Sequence, residues 1–219
     1  MLSLMLKDIY LLKRTMAFSA LYLVFMLFVF SSLDSAAGVF TFCMVAITHM
    51  LMVSSCALDE KNKSDVILNS LPLSRQVIVG ARYLMVIIYM LFAVAVYGLG
   101  TWVIGMLNMI PNLYYITLDG LIGAFLASSV ITSIYLPFYF RLGYIKSRIY
   151  YFILFFGLFF GINLLASKVI TDSTILSRTG LFLAKQNDTV VGIITAGAAI
   201  AMLAISYGIS LRLYKKREF

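Results

Sequence analysis

The stretch ALDEKNKSDVILNSLPLSRQVIVGARYL, residues 57–84, decides how this chain is read. It joins two long apolar runs, GVFTFCMVAITHMLMVSSCAL at 38–58 and one that begins near residue 80. Asp59, Glu60, Lys61, Asn62, Lys63, Ser64 and Asp65 are strongly polar. Val66, Ile67, Leu68 and Leu71 then supply the apolar face of one short helix, which Pro72 ends. Arg75 follows, and Gln76, Val77 and Ile78 lead the chain into the next apolar run. A short, partly apolar helix held off a membrane needs a protein surface to cover it.

Outward from this loop the chain is apolar nearly throughout. Of its 219 residues 63% are apolar and 12% charged, with a mean hydropathy of +1.01. Soluble domains carry about 45–50% apolar and about 25% charged residues, so an ordinary globular enzyme is excluded. Windows of about 19 residues place membrane spans at 15–33, 38–58, 80–106, 116–139, 149–168 and 189–211. The fold class is therefore all-α, a single transmembrane domain over residues 1–219 with six spans. The third span is longer than a bilayer requires, which predicts tilting or a break near Tyr97, Gly98, Leu99 and Gly100. Cys43 and Cys56, thirteen residues apart in one span, are about 20 Å apart along a helix and out of disulfide reach.

The distribution of lysine and arginine gives orientation. Fourteen of the 17 lie on one side of the predicted topology, and Lys168, Arg178 and Lys185 lie on the other. Both termini are thus expected in the cytoplasm, at a bacterial cell membrane. The net charge of +8 reads as a topology signal, and no nucleic-acid partner is expected. In the first fourteen residues Leu2, Met5, Leu6, Ile9 and Leu12 recur at helical spacing, with Ser3, Lys7 and Arg14 on another face. That pattern predicts an amphipathic interfacial helix over 1–14, the alternative being a downward extension of the first span. Lys7 and Asp8 interrupt the apolar start, and a full span follows without a small-residue cleavage site, unlike a removed signal peptide.

The loop's order of acidic pair, lysine, asparagine, short apolar turn, LPLSR and an apolar run ending in a basic residue and an aromatic resembles the loop between spans two and three of ABC-2 type transporter permeases. YLPFYFRLGYIKSRIYYF, residues 135–152, resembles the signature at the end of span four in that family. The likeness covers the whole chain. It is greatest to the compact permeases that include bacterial exporters of phenol-soluble modulins and antimicrobial-peptide immunity transporters. The resemblance implies that the loop holds a coupling helix docking in a separately encoded ATPase, and that two permeases, identical or different, pair around a substrate path. Mapped here, the coupling element lies within 59–71, with Asp59, Glu60, Lys61, Ser64, Asp65, Ile67, Leu68, Leu71 and Arg75 as ATPase-coupling residues. No sizeable outer domain is present, unlike in larger members.

The chain contains no G-x-x-x-x-G-K-[ST] phosphate loop, so it is not expected to be an enzyme by itself. ATP and magnesium are expected in the partner subunit, and this chain is expected to hold no cofactor or metal. His49, the only histidine, lies mid-span between Thr48 and Met50. It reads either as a substrate-path or proton-sensing group or, as we favour, as a neutral imidazole bonded to a neighbouring helix. Asp34 near the outer end of span one and Asn163 in span five are further candidates for the substrate path. Asp119 reads as an acid complementing a helix N-terminus, and Asn163 also as a helix-to-helix hydrogen bond. The spacing of Gly157 with Gly161, Gly192 with Ala196 and Gly197 with Ala201 suits close helix packing. Arg141, Lys146 and Arg148 suit anionic lipid or the ATPase. Phenylalanines in spans one and five, with Met16, Met26, Met44, Met50 and Met52, suit either an adaptable substrate lining or contact with lipid and neighbouring spans.

The function expected is that of a permease subunit of an ATP-driven exporter of amphipathic peptides or hydrophobic antibiotics. The alternative is a non-transport scaffold or sensor that recruits a cytosolic partner through residues 58–78.

Overall fold

The computed structural model describes residues 2–30, 36–70, 74–107, 115–150, 152–153 and 188–217. Among the described residues six helices carry the architecture: α1 (Leu2–Val29), α2 (Ala36–Lys61), α3 (Ser64–Ser70), α4 (Arg75–Leu107), α5 (Leu118–Leu142) and α6 (Asp188–Lys215). No strand occurs among the described residues. Five of the helices, all but α3, are long and apolar enough to cross a membrane. The expected span at 149–168 lies almost entirely outside the described residues.

Paired contacts at both ends of each helix fix the directions. Lys7 of α1 meets Asp59 of α2, and at the opposite end Phe30 packs on Phe42 with ring centroids 4.9 Å apart, so α1 and α2 are antiparallel. Asp59 meets Arg82 and Phe40 meets Tyr97, which sets α4 antiparallel to α2. Thr41 donates to the Gly120 carbonyl at 3.2 Å, while Glu60 meets the backbone at Tyr144, so α2 and α5 run parallel. Gly192 sits against Ile122, Ser206 donates to the Ser133 carbonyl, and Phe140 packs on Tyr214, so α5 and α6 are parallel as well. One end of the bundle therefore gathers the N-terminus of α1, the C-termini of α2, α5 and α6, and the start of α4. The two ends of the described chain lie together there.

Packing accounts for the close approaches. Leu23, Phe40, Ile47, Leu51, Met85, Tyr89, Tyr97 and Leu136 are almost wholly buried in the core that α2 shares with its neighbours. At Gly120 an added Cβ would lie 2.8 Å from Phe40, and at Gly192 it would lie 3.0 Å from Ile122. Small residues at these points let α5 approach α2 and α6. Gly197 has open space around its Cβ direction, so its spacing with Ala201 serves no contact within the described chain. Gly157 and Gly161 lie outside the described residues. Hydroxyls join helices in the apolar interior: the Tyr83 hydroxyl lies 2.7 Å from Ser206 Oγ and 2.8 Å from Ser210 Oγ, linking α4 to α6.

Two expectations are corrected. Residues 2–14 form no separate interfacial helix; they are the lower half of α1, which runs unbroken to Val29. No proline, glycine or cap interrupts the helix there, and the polar Asp8 faces the bundle while Leu6 and Tyr10 face out. Of the two forms expected for the third span, tilting or a break near Tyr97–Gly100, the break does not occur, since α4 continues for 33 residues. Gly100 is instead the place where Leu23 of α1 presses on α4, and Thr101 bonds back to the Tyr97 carbonyl at 2.9 Å within an intact helix.

A candidate coupling site at one end of the bundle

The last turn of α2 is the hub of this end. Asp59 is 1% exposed, because its side chain points between α1 and α4. Oδ1 accepts from Lys7 Nζ at 2.8 Å, and Oδ2 accepts from Arg82 Nη2. Arg82 Nη1 donates to Asp8 Oδ2 at 3.1 Å and to Ser55 Oγ. Lys7 also lies 3.3 Å from Asp8. Two cations and two carboxylates thus neutralise one another among three helices. Arg82 lies over the Tyr139 ring, 5.9 Å from its centroid, which brings α5 to the same point.

Glu60 turns the other way. Its Oε2 accepts from the backbone N–H groups of Tyr144 and Ile145, the latter at 3.2 Å, just beyond the C-terminus of α5. Those donors open the helical segment 144–150, so the carboxylate caps its start, where negative charge is favoured. Gly143 makes the turn possible with φ of +79°, a conformation that favours glycine. Arg75, at the start of α4, donates to the carbonyls of Tyr214 at 3.0 Å and Lys215 at 2.7 Å, capping the end of α6. Its guanidinium also lies 5.9 Å from the Tyr214 ring centroid.

α3 is carried by this hub. Lys63, in the left-handed region with φ of +49°, separates it from α2. Ser64 and Leu68 turn inward and Ile67 outward, the last 58% exposed. Lys61 and Lys63 are exposed beside it. Asp65 belongs to α3 with its side chain outside the described set, and Leu71 lies outside the described residues.

Of the coupling residues expected from sequence, Asp59, Glu60 and Arg75 bond within the chain, Ser64 and Leu68 turn inward, and Ile67 and Lys61 face outward. Lys7, Asp8 and Arg82 complete the ionic cluster and were not among the expected site residues. Their signal was a Lys–Asp pair inside an apolar helix and an arginine near the start of a long apolar run.

A family model described as "ABC-2 family transporter protein" matches residues 3–215. The chain belongs to the ABC-2 transporter family. No curated protein and no solved structure matches it. As an ABC-2 permease it is the membrane component of an ABC transporter and not itself the catalytic subunit, and its membership implies an ATPase partner.

Of the residues expected from sequence on a substrate path, His49 is the one among the described residues. His49 lies in α2 against α5, its ring edge-on to Tyr135 with centroids 5.8 Å apart. Thr48, Ser128 and Thr132 border the same narrow cleft. Asp34 and Asn163 lie outside the described residues. Asp119 is exposed in the first turn of α5, whose N-cap Thr117 accepts from the Gly120 N–H at 3.2 Å. Met44 and Met52 are buried in the core, whereas Phe18, Phe25 and Phe28 of α1 face outward.

Proposed function

We propose that this permease is the membrane subunit of an ATP-driven exporter in which α3 is the coupling helix, docking on a separate ATPase. The observation that supports the reading most is the form of α3. It is a single short helix slung beneath the bundle, with exposed Ile67 between exposed Lys61, Lys63 and Ser70, joined directly to the ion-paired hub of α2. Closure of two ATPase subunits on bound ATP and magnesium would move α3 as a rigid body and with it α2 and α4. The end that carries α3 would then be cytoplasmic, in agreement with the lysine and arginine distribution, and both chain termini would lie there in the bacterial cell membrane.

Two permeases and two ATPases would form the assembly. The chain would cross the membrane once more between α5 and α6, at the apolar run 149–168. The parallel course of α5 and α6 supports this, because successive crossings alternate in direction. Amphipathic peptides or hydrophobic antibiotics are the substrates we favour. The apolar groove of about 330 Å³ bordered by Met44, Met90, Leu121 and Phe125 suits such a cargo. The test is co-purification with the ATPase, followed by hydrolysis rates with and without added phenol-soluble modulin. Stimulated hydrolysis supports the reading. A chain that retains no ATPase, or hydrolysis that ignores amphipathic peptides and hydrophobic antibiotics alike, contradicts the assembly or the substrate class respectively.

A further inference from the structure

Leu68 is the residue of α3 that reaches back into the bundle. It is buried although its helix is short and lies at the periphery, and it borders a cleft of about 20 Å³ shared with Leu4, Asp8, Ile78 and Arg82. That is room for about one water. The cleft opens onto the ionic cluster, since Asp8 and Arg82 belong to both. Lys7 is partly exposed at the edge of the cluster, but Asp8, Asp59 and Arg82 are buried, and the pairs that Arg82 makes with the two carboxylates depend on keeping bulk water out, because such attractions weaken steeply as the local dielectric rises.

We infer that Leu68 is a plug over the buried Asp8–Arg82–Asp59 part of the cluster, and that displacement of α3 withdraws it and lets water reach those ion pairs. Leu68 and Arg82 are then positioning residues for coupling: the plug reports the place of α3, and the cluster sets how firmly α1, α2 and α4 hold together. With the plug seated, the three helices move as one body. With it withdrawn, the screened pairs loosen and α1 and α4 can shift against α2. The inference rests on the reading of α3 as the coupling helix, but the plug itself can be tested without an ATPase.

A native thiol reports the event. Cys56 is fully buried in α2 beside Ser55, the residue whose hydroxyl Arg82 bonds. In a Cys43→Ser background, Cys56 of the full chain in lipid nanodiscs is labelled with N-ethylmaleimide. Leu68→Ala is expected to raise the labelling rate by about tenfold, whereas Ile67→Ala leaves it unchanged. Leu68→Met, which refills the site, is expected to restore the slow rate. Equal rates for Leu68→Ala and the parent overturn the plug while leaving the transporter reading intact. In the complex with its ATPase, trapping with ATP and vanadate is expected to raise labelling of the Leu68 parent. A complex that hydrolyses ATP yet shows one labelling rate in all nucleotide states overturns the link between plug and coupling. Failure to retain an ATPase overturns the transporter reading itself.

Discussion

Asp59 and Glu60 are neighbours in the last turn of α2, yet they hold opposite sides of the bundle. Asp59 reaches Lys7 and Arg82 on α1 and α4, and Glu60 reaches the backbone that follows α5. Successive residues on a helix point about 100° apart, so one acidic pair serves two interfaces. The chain then turns at Lys63 into α3. Any displacement of α3 is therefore applied next to the residues that tie α2 to three other helices.

The ionic cluster predicts a large single-mutant effect and a partial rescue. Asp59→Leu leaves Arg82 with one carboxylate fewer in a buried place, and losses of about 3–5 kcal/mol accompany the breaking of buried pairs. Pairing it with Arg82→Met removes the stranded charge. Thermal unfolding in detergent is expected to show the double variant more stable than Asp59→Leu alone; strict additivity would refute a direct pairing.

Gly143 makes a second case. Its φ of +79° strains any residue with a Cβ, and an added Cβ would also lie 3.3 Å from Arg217 Nη2. Gly143→Ala is expected to cost about 1–2 kcal/mol. An unchanged unfolding midpoint would show that the turn after α5 relaxes freely.

Arg75 is expected to act within the chain rather than on a partner. Arg75→Ala frees the carbonyls of Tyr214 and Lys215, so limited trypsin digestion should cut faster at Arg212, Lys215 and Lys216. The ATPase should remain bound. Loss of the ATPase without a change in digestion would instead place Arg75 in the partner interface.

Tyr83→Phe removes the hydroxyl that lies between Ser206 and Ser210. Interhelical hydrogen bonds at membrane depth average about 0.6 kcal/mol, so a small fall in the unfolding midpoint is expected. A shift as large as that of Asp59→Leu would mean that α6 depends on this one group.

Five of the six expected spans were legible in the sequence because long apolar runs have no other place than a bilayer, and the short helix after Lys63 was legible from its polar flanks and Pro72. The direction in which single charges point was not. Asp59 and Glu60 read as contacts to a partner, but α2 extends through Lys61 and turns both onto other parts of the chain. Lys7 read as part of the polar face of an interfacial helix, and Asp8 only as an interruption of the apolar start. Only the meeting of α1 with α2 and α4, a contact across 74 residues between Asp8 and Arg82, reveals them as one cluster. The family likeness was legible from residues 57–84, and the family model matched nearly the whole chain.

If α3 is the coupling element, Ile67 is the residue through which the ATPase is held. It is exposed and its side chain contributes little to the core, so Ile67→Asp should leave the unfolding midpoint of the permease unchanged. Quantitative co-purification of the ATPase with parent and variant is the measurement. The account predicts that the variant loses most of the bound ATPase at equal permease stability, and full retention with unaltered hydrolysis would contradict it.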